Sequence, residues 1–325
     1  MKETIFNGSA GEYFKIWITN LFLTIITFGI YSAWAEVIDK KYIYQNITID
    51  GHRFDYVAKP IQILKGRAIG LMLLLLVGIL SVFNPMLYVL SLIALFIATP
   101  WLINKSLSFR LRMTTYRGVS FDFRGNYKET FLYFMLLPIL SIFTLFITLP
   151  LFQKFGAEYS INNYSFGQKT FKSKLNAKEF YKAYLFIGIV FFVISSLSGF
   201  IFYLFPYAGI VILPLSYITL IVSFSSIWTS IIRNHTFNNS ELDGIATFDS
   251  KMDIVAYTKI LFTNVLALLF SLGLAYPWVA IRNIKYLSNA TSSDFNDGVD
   301  SVINNSIKND SAVLDEVAGA FDVQL

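Results

Sequence analysis

The sequence contains few side chains that can do catalytic or metal chemistry. It has two histidines, His52 and His235, and no cysteine, so the His and Cys clusters that bind zinc are missing. Five stretches carry no charged residue: 16–35, 68–104, 130–153, 183–232 and 260–281. Intramembrane proteolysis would need aspartates or a Ser/His couple inside such stretches, and they contain neither Asp nor His. We therefore expect no enzymatic activity, no metal and no cofactor.

Some polar side chains do lie inside the uncharged stretches. The candidate polar interior comprises Asn20, Thr27, Thr144 and Asn264. An amide in hydrocarbon needs partners, and hydrogen bonds between helices supply them at about 1 kcal/mol each. The alternative is a polar path or a substrate pocket, which transporters build from broken helices. The absence of charge in the stretches favours the first interpretation.

Basic residues lie only between and beyond the uncharged stretches. Clusters of them next to a membrane segment gain about 1 kcal/mol per cation from anionic lipid headgroups. The candidate headgroup contacts are Lys40, Lys41, Lys65, Arg67, Arg110 and Arg112. Nucleic-acid binding is disfavoured because acidic residues such as Glu36 and Asp39 are interleaved with the basic ones.

The composition is that of a membrane protein. Of the 325 residues, 55% are apolar and 14% are charged, and the mean hydropathy is +0.57. A helix needs about 20 apolar residues to cross the bilayer. Stretches 68–104 and 183–232 are long enough for helical hairpins that turn near Asn84-Pro85 and Pro206. The sequence predicts an all-α polytopic protein with about seven membrane helical segments.

The 26 Lys and Arg residues constrain which side each connection faces. The positive-inside rule places the charged connections in the cytoplasm. If stretch 130–153 crosses completely, however, connection 154–182 must face away from 36–67 and 105–129 although all three are basic. The conflict disappears if stretches 16–35, 130–153 and 260–281 dip into the membrane and return. Both alternatives remain open at this point.

Self-comparison indicates an internal repeat. Residues that recur at an offset of 244 include Tyr13, Lys15, Asn20, Gly29, Trp34, Lys41 and Tyr42, and others recur at 117, including Phe6, Gly8, Asn46 and Phe54. The chain therefore divides into repeat 1 (1–67), a helical hairpin (68–104), repeat 2 (105–182), a second hairpin (183–232), repeat 3 (233–289) and an acidic cytoplasmic tail (290–325).

Short polar elements follow each exit from the membrane. Asp50-Gly51 and Arg117-Gly118 lie between β-prone runs and predict tight turns. We expect small β-hairpins on the cytoplasmic face, which one sheet could join. A solvated tail is expected at 290–325. The spacing of Val313, Val317 and Phe321 at four-residue intervals makes a short amphipathic helix over 312–325 the alternative.

The motifs resemble those of the YjgN family, bacterial inner-membrane proteins of unknown function. The resemblance rests on the run from Glu12 to Asn20, on Leu23 to Tyr31 and on Lys41-Tyr42, and it continues through 110–125 to the closing stretch 315–322. Met113 departs from the pattern, in which an Asn precedes the threonines. The resemblance implies a bacterial inner-membrane location and implies no activity, substrate or catalytic residue.

Two functions are compatible with these observations. The first is transport or permeation of a small solute or lipid, and the second is a scaffold or sensor that acts through its cytoplasmic loops and tail. The expected partners are the lipid bilayer and either a second copy of the chain or a cytoplasmic protein. The repeats favour transport, and the uncharged interior favours a scaffold.

Overall fold

A computed structural model describes residues 1–296 and 298–304. Within them the strands are Lys2–Phe6 (β1), Ile47–Ile49 (β2), His52–Tyr56 (β3), Thr114–Tyr116 (β4), Val119–Phe123 (β5), Tyr164–Phe166 (β6), Lys169–Ser173 (β7), Ser240–Leu242 (β8), Ala246–Ser250 (β9) and Thr291–Phe295 (β10). The α-helices are Ala10–Ile26 (α1), Ser32–Gln45 (α2), Pro60–Phe83 (α3), Pro85–Arg112 (α4), Tyr127–Phe131 (α5), Leu137–Phe143 (α6), Leu149–Asn162 (α7), Ala177–Leu204 (α8), Gly209–Asn238 (α9), Ile254–Phe270 (α10) and Tyr276–Asn289 (α11). The structure also contains a π-helical turn at Leu132–Leu136 and a 3₁₀ turn at Pro206–Ala208.

The ten strands form a closed antiparallel barrel. Each strand pairs with the strands before and after it in the sequence, and β1 pairs with β10, with Lys2 opposite Ser293. Sequences such as Val119-Ser-Phe-Asp-Phe123 alternate apolar and polar residues, which suits a strand with one buried face. The prediction of an all-α protein is therefore wrong. Strands of three to five residues gave only weak signals, and the separate hairpins expected are parts of one barrel.

Tight turns connect the strands at one rim of the barrel, here called the turn rim. Asp50-Gly51 and Arg117-Gly118 lie at the turns predicted from the sequence, and Asp243-Gly244 forms another. Both residues of each pair have positive φ, from 43° to 82°. This conformation matches a type I′ turn, whose twist fits the strands on either side.

The helices leave and return at the opposite rim, here called the helix rim. Each of the five helical excursions links two strands that pair with each other, such as β1 with β2 and β3 with β4. In the described residues four segments are long and apolar enough to cross a membrane: Pro60–Phe83, Pro85–Arg112, Ala177–Leu204 and Pro206–Asn238. The prediction of about seven such segments is therefore wrong.

The three remaining stretches fold as pairs of shorter helices. The first pair is α1 and α2, which break between residues 27 and 31, and the others break at 144–148 and 271–275. At 1.5 Å per residue, a helix like α1 reaches about 25 Å and then turns back. Residues at each break have left-handed backbone, including Phe28, Leu145 and Leu272, whose side chains are 84–97% exposed. Because both ends of each pair join the same rim, the geometry favours the returning alternative for these stretches.

A tyrosine near the end of each shorter pair holds the start of its first helix. The Tyr42 hydroxyl accepts from Ser9 N (2.9 Å) and donates to Ser9 O (3.1 Å), and Ser9 is the N-cap of α1. Equivalent bonds join Tyr159 Oη to Asn126 O (3.2 Å) and Tyr286 Oη to Asp253 O (3.0 Å), where Asn126 and Asp253 cap α5 and α10. These contacts fix the angle at which each pair leaves the barrel.

The stretch assigned to the tail contains ordered structure near the barrel. β10 closes the barrel, and residues 298–304, here called the plug segment, are helical. Val299, Val302 and Ile303 of this segment are buried in the barrel core. The stretch 312–325, for which an amphipathic helix is the alternative to a solvated tail, lies outside the described residues.

Two lysines pair with one aspartate at the turn rim, and these ion pairs make part of the protein's stability depend on pH. Lys169 and Lys172 each donate to Asp243 over 2.8 Å, and these bonds lower the pKa of Asp243 to about 2. A carboxyl with a lowered pKa contributes stability above its ordinary pKa near 4 and loses it as pH falls toward 2.

We expect Asp243→Asn to lower the melting temperature at pH 7, because the amide carries no charge for the two lysines. Asn tolerates the positive φ of this position. The difference from the unsubstituted protein should shrink below about pH 4 and vanish near pH 2. Glu3→Gln is the control, since Glu3 has no ion pair among the described residues. A difference that persists unchanged to pH 2 would contradict this assignment.

Candidate functional site

Aromatic side chains fill the barrel interior. They form a layer, here called the aromatic layer, of Phe54, Tyr116, Phe121, Phe166, Phe171, Phe248 and Phe295. Ring centroids lie 4.9 Å apart for Phe54 and Tyr116 and 5.0 Å apart for Phe121 and Phe166. Burial raises the pKa of Tyr116 to about 12, and its hydroxyl donates to Ile49 O over 2.9 Å.

The plug segment closes the aromatic layer at the turn rim. Arg117 in the β4–β5 turn pairs with Asp300 at 2.6 Å, and Asn296 N donates to Ile245 O at 3.1 Å. The cavity left between the layer and Val299 has a volume of about 60 Å³. Its lining residues are aliphatic and aromatic, so this space is a small apolar cavity and not a polar channel.

A larger cavity, here called the chamber, lies at the helix rim between α2, α9 and α11. Its volume is about 480 Å³. Its floor is shared with the aromatic layer through Ile49 and Phe54. The other lining residues are Thr4, Lys40, Ile43, Tyr44, Ile47, Arg233, Ile284, Leu287, Ser288 and Thr291. The chamber is therefore mainly apolar, with two cations and four hydroxyls.

The two cations of the chamber differ in their partners. Lys40 Nζ lies 2.6 Å from Glu36 Oε1 and 5.1 Å from the centroid of the Tyr56 ring. Arg233 donates from Nη2 to Thr291 Oγ1 at 2.9 Å, and its guanidinium lies 4.1 Å from the Phe237 ring. Its Nε is buried without a hydrogen-bond partner. No carboxylate of the described residues lies within 4 Å of this guanidinium, so its charge is not compensated there.

Sequence reasoning missed Arg233. It directly follows the uncharged stretch 183–232, where a cation is ordinarily interpreted as a side chain that reaches the membrane surface. Only the packing of α9 against α10, and the approach of α2 and α11 to the same space, places it in a cavity.

The two predicted asparagines lie in separate contacts. Asn20 is 5% exposed and donates from Nδ2 to Asp39 Oδ1 at 3.0 Å, which joins α1 to α2. Asn264 is 3% exposed, and its Oδ1 accepts from Arg282 at 3.2 Å, which joins α10 to α11. Both amides therefore make hydrogen bonds within their own helix pair.

The two predicted threonines cap the breaks between helices. Thr27 Oγ1 donates to Leu23 O at 2.8 Å and accepts from Tyr31 N at 2.9 Å. Thr144 is exposed and makes the corresponding bonds within residues 141–148. None of the described cavities brings Asn20, Thr27, Thr144 and Asn264 together.

The predicted headgroup contacts fall into two groups. Arg67 pairs with Glu36, as Lys40 does, and Arg112 makes a bidentate pair with Asp122 at 2.8 and 3.0 Å. The other three side chains are exposed and have no ion pair among the described residues: Lys41, Lys65 and Arg110. Within the described residues no group of three or more His, Cys, Asp or Glu side chains could hold a metal.

Comparisons with known proteins identify a bacterial family and relatives that are named as inner membrane proteins. A family model described as "Bacterial protein of unknown function (DUF898)" matches residues 2–320. Inner membrane protein YjgN of Salmonella typhimurium is 34% identical over 158 residues, which are 45% of this chain and 37% of that protein. The proteins of the same name from Escherichia coli O157:H7 and Escherichia coli K12 are each 29% identical over 137 residues, or 42% of this chain and 34% of theirs. The matches thus span about a third of these relatives, and no solved structure matches the chain.

Proposed function

The chain belongs to the DUF898 family of bacterial proteins of unknown function, and we propose that it is a multi-pass protein of the bacterial inner membrane. The long apolar helices and the relatives named as inner membrane proteins support this location. The resemblance to the YjgN family is confirmed by the curated relatives of that name. Its proposed role is a non-catalytic scaffold or sensor. It would act through its barrel and loops on a partner, either a second copy of the chain or a cytoplasmic protein.

The filled barrel is the observation that carries this proposal. A transporter needs a path that opens alternately to the two sides of the membrane. The aromatic layer and the plug segment leave about 60 Å³ in the barrel core, and its wall is apolar. A rigid barrel with hydrogen-bonded turns instead offers a stable surface for another protein.

In the proposed topology the barrel lies in the cytoplasm. The pairs α3/α4 and α8/α9 would cross the membrane, and the three shorter pairs would enter it and return. All basic connections then share one side, in agreement with the positive-inside rule. The apolar side chains at the breaks support entry into lipid, because Phe28 and Leu272 are 97% and 93% exposed.

We also propose that the shorter helix pairs are three copies of one unit. The offsets of 117 and 244 relate Tyr42 to Tyr159 and Tyr286, and they relate Ser9 to Asn126 and Asp253. The hydrogen bonds between each tyrosine and its capping residue support this relationship.

Cysteine accessibility tests the topology directly, because the chain has no cysteine of its own. Single cysteines at Arg53 and Gln168, both exposed near barrel turns, should react with a membrane-impermeant maleimide only after the cells are opened. Cysteines at Asn84 and Tyr207, at the tips of the long pairs, should react in intact cells. If Arg53→Cys and Gln168→Cys react from opposite sides, stretch 130–153 crosses the membrane and the proposal fails.

Transport of a small solute or lipid is the second candidate function. The chamber favours it, since about 480 Å³ is within the range of small-molecule sites. A transport route would have to lead from the chamber sideways between the helices into the membrane, because the aromatic layer lies below it.

A further inference from the structure

We propose that the chamber binds an amphipathic anion, meaning a single acidic oxyanion group on an apolar chain, with Arg233 as the anchoring residue. This proposal goes beyond the scaffold role and depends on neither its partner nor its topology. It rests on three features of the chamber: an uncompensated guanidinium, unsatisfied polar atoms at its side, and a predominantly apolar wall.

The guanidinium is the first feature. Arg233 is half-buried, and a cation that loses part of its hydration is costly unless it is paired and hydrogen-bonded. Arg233 has one neutral partner, Thr291 Oγ1 at 2.9 Å, and the face of Phe237 at 4.1 Å. Its Nε remains buried and unpaired. A guanidinium with donors left over after its bond to Thr291 suits a carboxylate or phosphate group, which forms charge-assisted hydrogen bonds.

Neighbouring groups do not supply the missing negative charge. Glu36 is the acidic side chain nearest Lys40, at 2.6 Å, and it is also bonded to Arg67. The Glu36 carboxylate is therefore already paired with two cations. Thr4 Oγ1, which lines the same chamber, is likewise buried without a partner.

The wall of the chamber indicates that the ligand also has an apolar part. Most of the side chains around the chamber are aliphatic or aromatic, among them Ile43, Ile47, Ile284 and Leu287. Small inorganic ions would leave this wall in contact with water. An alkyl chain would bury it, at about 0.8 kcal/mol per CH₂ group. The combination of one cationic end and an apolar wall therefore selects for a fatty acid or the phosphate end of a lipid, which share this chemistry.

Binding can be measured on the full-length protein purified in an uncharged maltoside detergent. The probes are dodecanoate, dodecyl phosphate, inorganic phosphate and dodecyltrimethylammonium, each followed by calorimetric titration and by the shift in melting temperature. We expect saturable binding of the two alkyl anions, and little binding of inorganic phosphate or the alkyl cation. Comparison of dodecanoate with dodecyl phosphate distinguishes a carboxylate from a phosphate ligand.

Substitution of Arg233 provides a second test of the proposal. Arg233→Gln should weaken binding of the alkyl anions about tenfold or more, since a charge-assisted pair is lost. Arg110→Gln is the matched control, because Arg110 is exposed at the end of α4 and lies outside the chamber. Ser288→Leu, which places a larger side chain in the chamber wall, should weaken binding while leaving Arg233 in place.

Several results would overturn the proposal. These are absence of saturable binding to the unsubstituted protein, equal affinity for the alkyl anion and the alkyl cation, and tight binding of inorganic phosphate alone. Equal losses for Arg233→Gln and Arg110→Gln would also overturn it. If Arg233→Gln fails to fold, the comparison of probes on the unsubstituted protein and the Ser288→Leu variant still decides the matter. None of these measurements depends on the side of the membrane that the barrel faces, so the proposed function can fail independently.

Discussion

Replacement of Phe166 by alanine is expected to cost about 3–5 kcal/mol of the free energy of unfolding. Phe166 is 2% exposed, and its ring centroid lies 5.0 Å from that of Phe121 and 6.3 Å from that of Tyr116. Truncation would leave a cavity in the aromatic layer. The strands around it are short, so the packing of these rings holds the barrel closed.

Chemical unfolding in mixed detergent, followed by circular dichroism, measures this loss. Phe143→Ala is the matched control, because Phe143 ends α6 and is 82% exposed. It should change the free energy of unfolding by less than about 0.5 kcal/mol. Equal effects of the two truncations would mean that the aromatic layer does not stabilise the barrel.

The second large effect is expected from Gly125→Met, which should cost about 1–3 kcal/mol through overpacking. A Cβ atom at Gly125 would lie 2.5 Å from Phe123 Cζ and 2.5 Å from Tyr159 Oη. Gly8 has the same relation to Phe6, with a separation of 2.5 Å. In both places an aromatic ring occupies the space that a side chain on the glycine would take.

At the corresponding positions of the third unit, the order of the large and the small residue is reversed. Ser250 stands where the aromatic residue would be and Met252 where the glycine would be, and both are buried. This is the pattern of a volume-conserving exchange. It implies that Phe123→Ala, which alone should cost about 3–5 kcal/mol, makes room for the methionine of Gly125→Met.

A double-mutant cycle tests this exchange. The two substitutions together should cost about 1–3 kcal/mol less than the sum of their separate costs. Alanine is preferred to serine at position 123, because a serine hydroxyl would need a partner like Asn234, which bonds Ser250 at 2.9 Å. Gly66→Met is the control, since a Cβ at Gly66 meets nothing within 4 Å. Additive costs would contradict the proposed equivalence of the units.

Local features of the fold could be predicted from the sequence. Asp50-Gly51 and Arg117-Gly118 mark their turns because glycine and its neighbour must adopt positive φ there. The break at Asn84-Pro85 likewise separates α3 from α4, because proline begins a helix readily and disfavours helical backbone in the residue before it. Each of these signals depends on adjacent residues only.

Closure of the barrel could not be predicted in this way. The pairing of β1 with β10 joins Lys2 to Ser293, and no local pattern specifies a contact over that separation. The prediction of seven membrane segments was wrong for a related reason. A stretch such as 260–281 has the composition of a span, but its break at 271–275 turns the chain back to the same rim.

The candidate site was predictable only in part. Lys40 stood out from its sequence neighbours, although its pair with Glu36 was not foreseen. Asn20 and Asn264 were expected to have partners, and Asn20 Nδ2 bonds Asp39 while Asn264 Oδ1 bonds Arg282. Asn264 Nδ2 is buried without a hydrogen-bond partner. Arg233 has nothing unusual in its sequence context. Its importance arises from α2 and α11, which come from distant parts of the chain and enclose it.

The pairing of the first strand with the last sets an order of events during synthesis. Residues 2–6 are synthesised before their partners at 291–295, which follow all the helix pairs in the sequence. Until then β1 has one neighbour and an open edge that can pair with a foreign strand. Newly made chains are thus expected to have an open barrel until β10 is synthesised. During that time a neighbouring nascent chain or a chaperone can bind the free edge of β1.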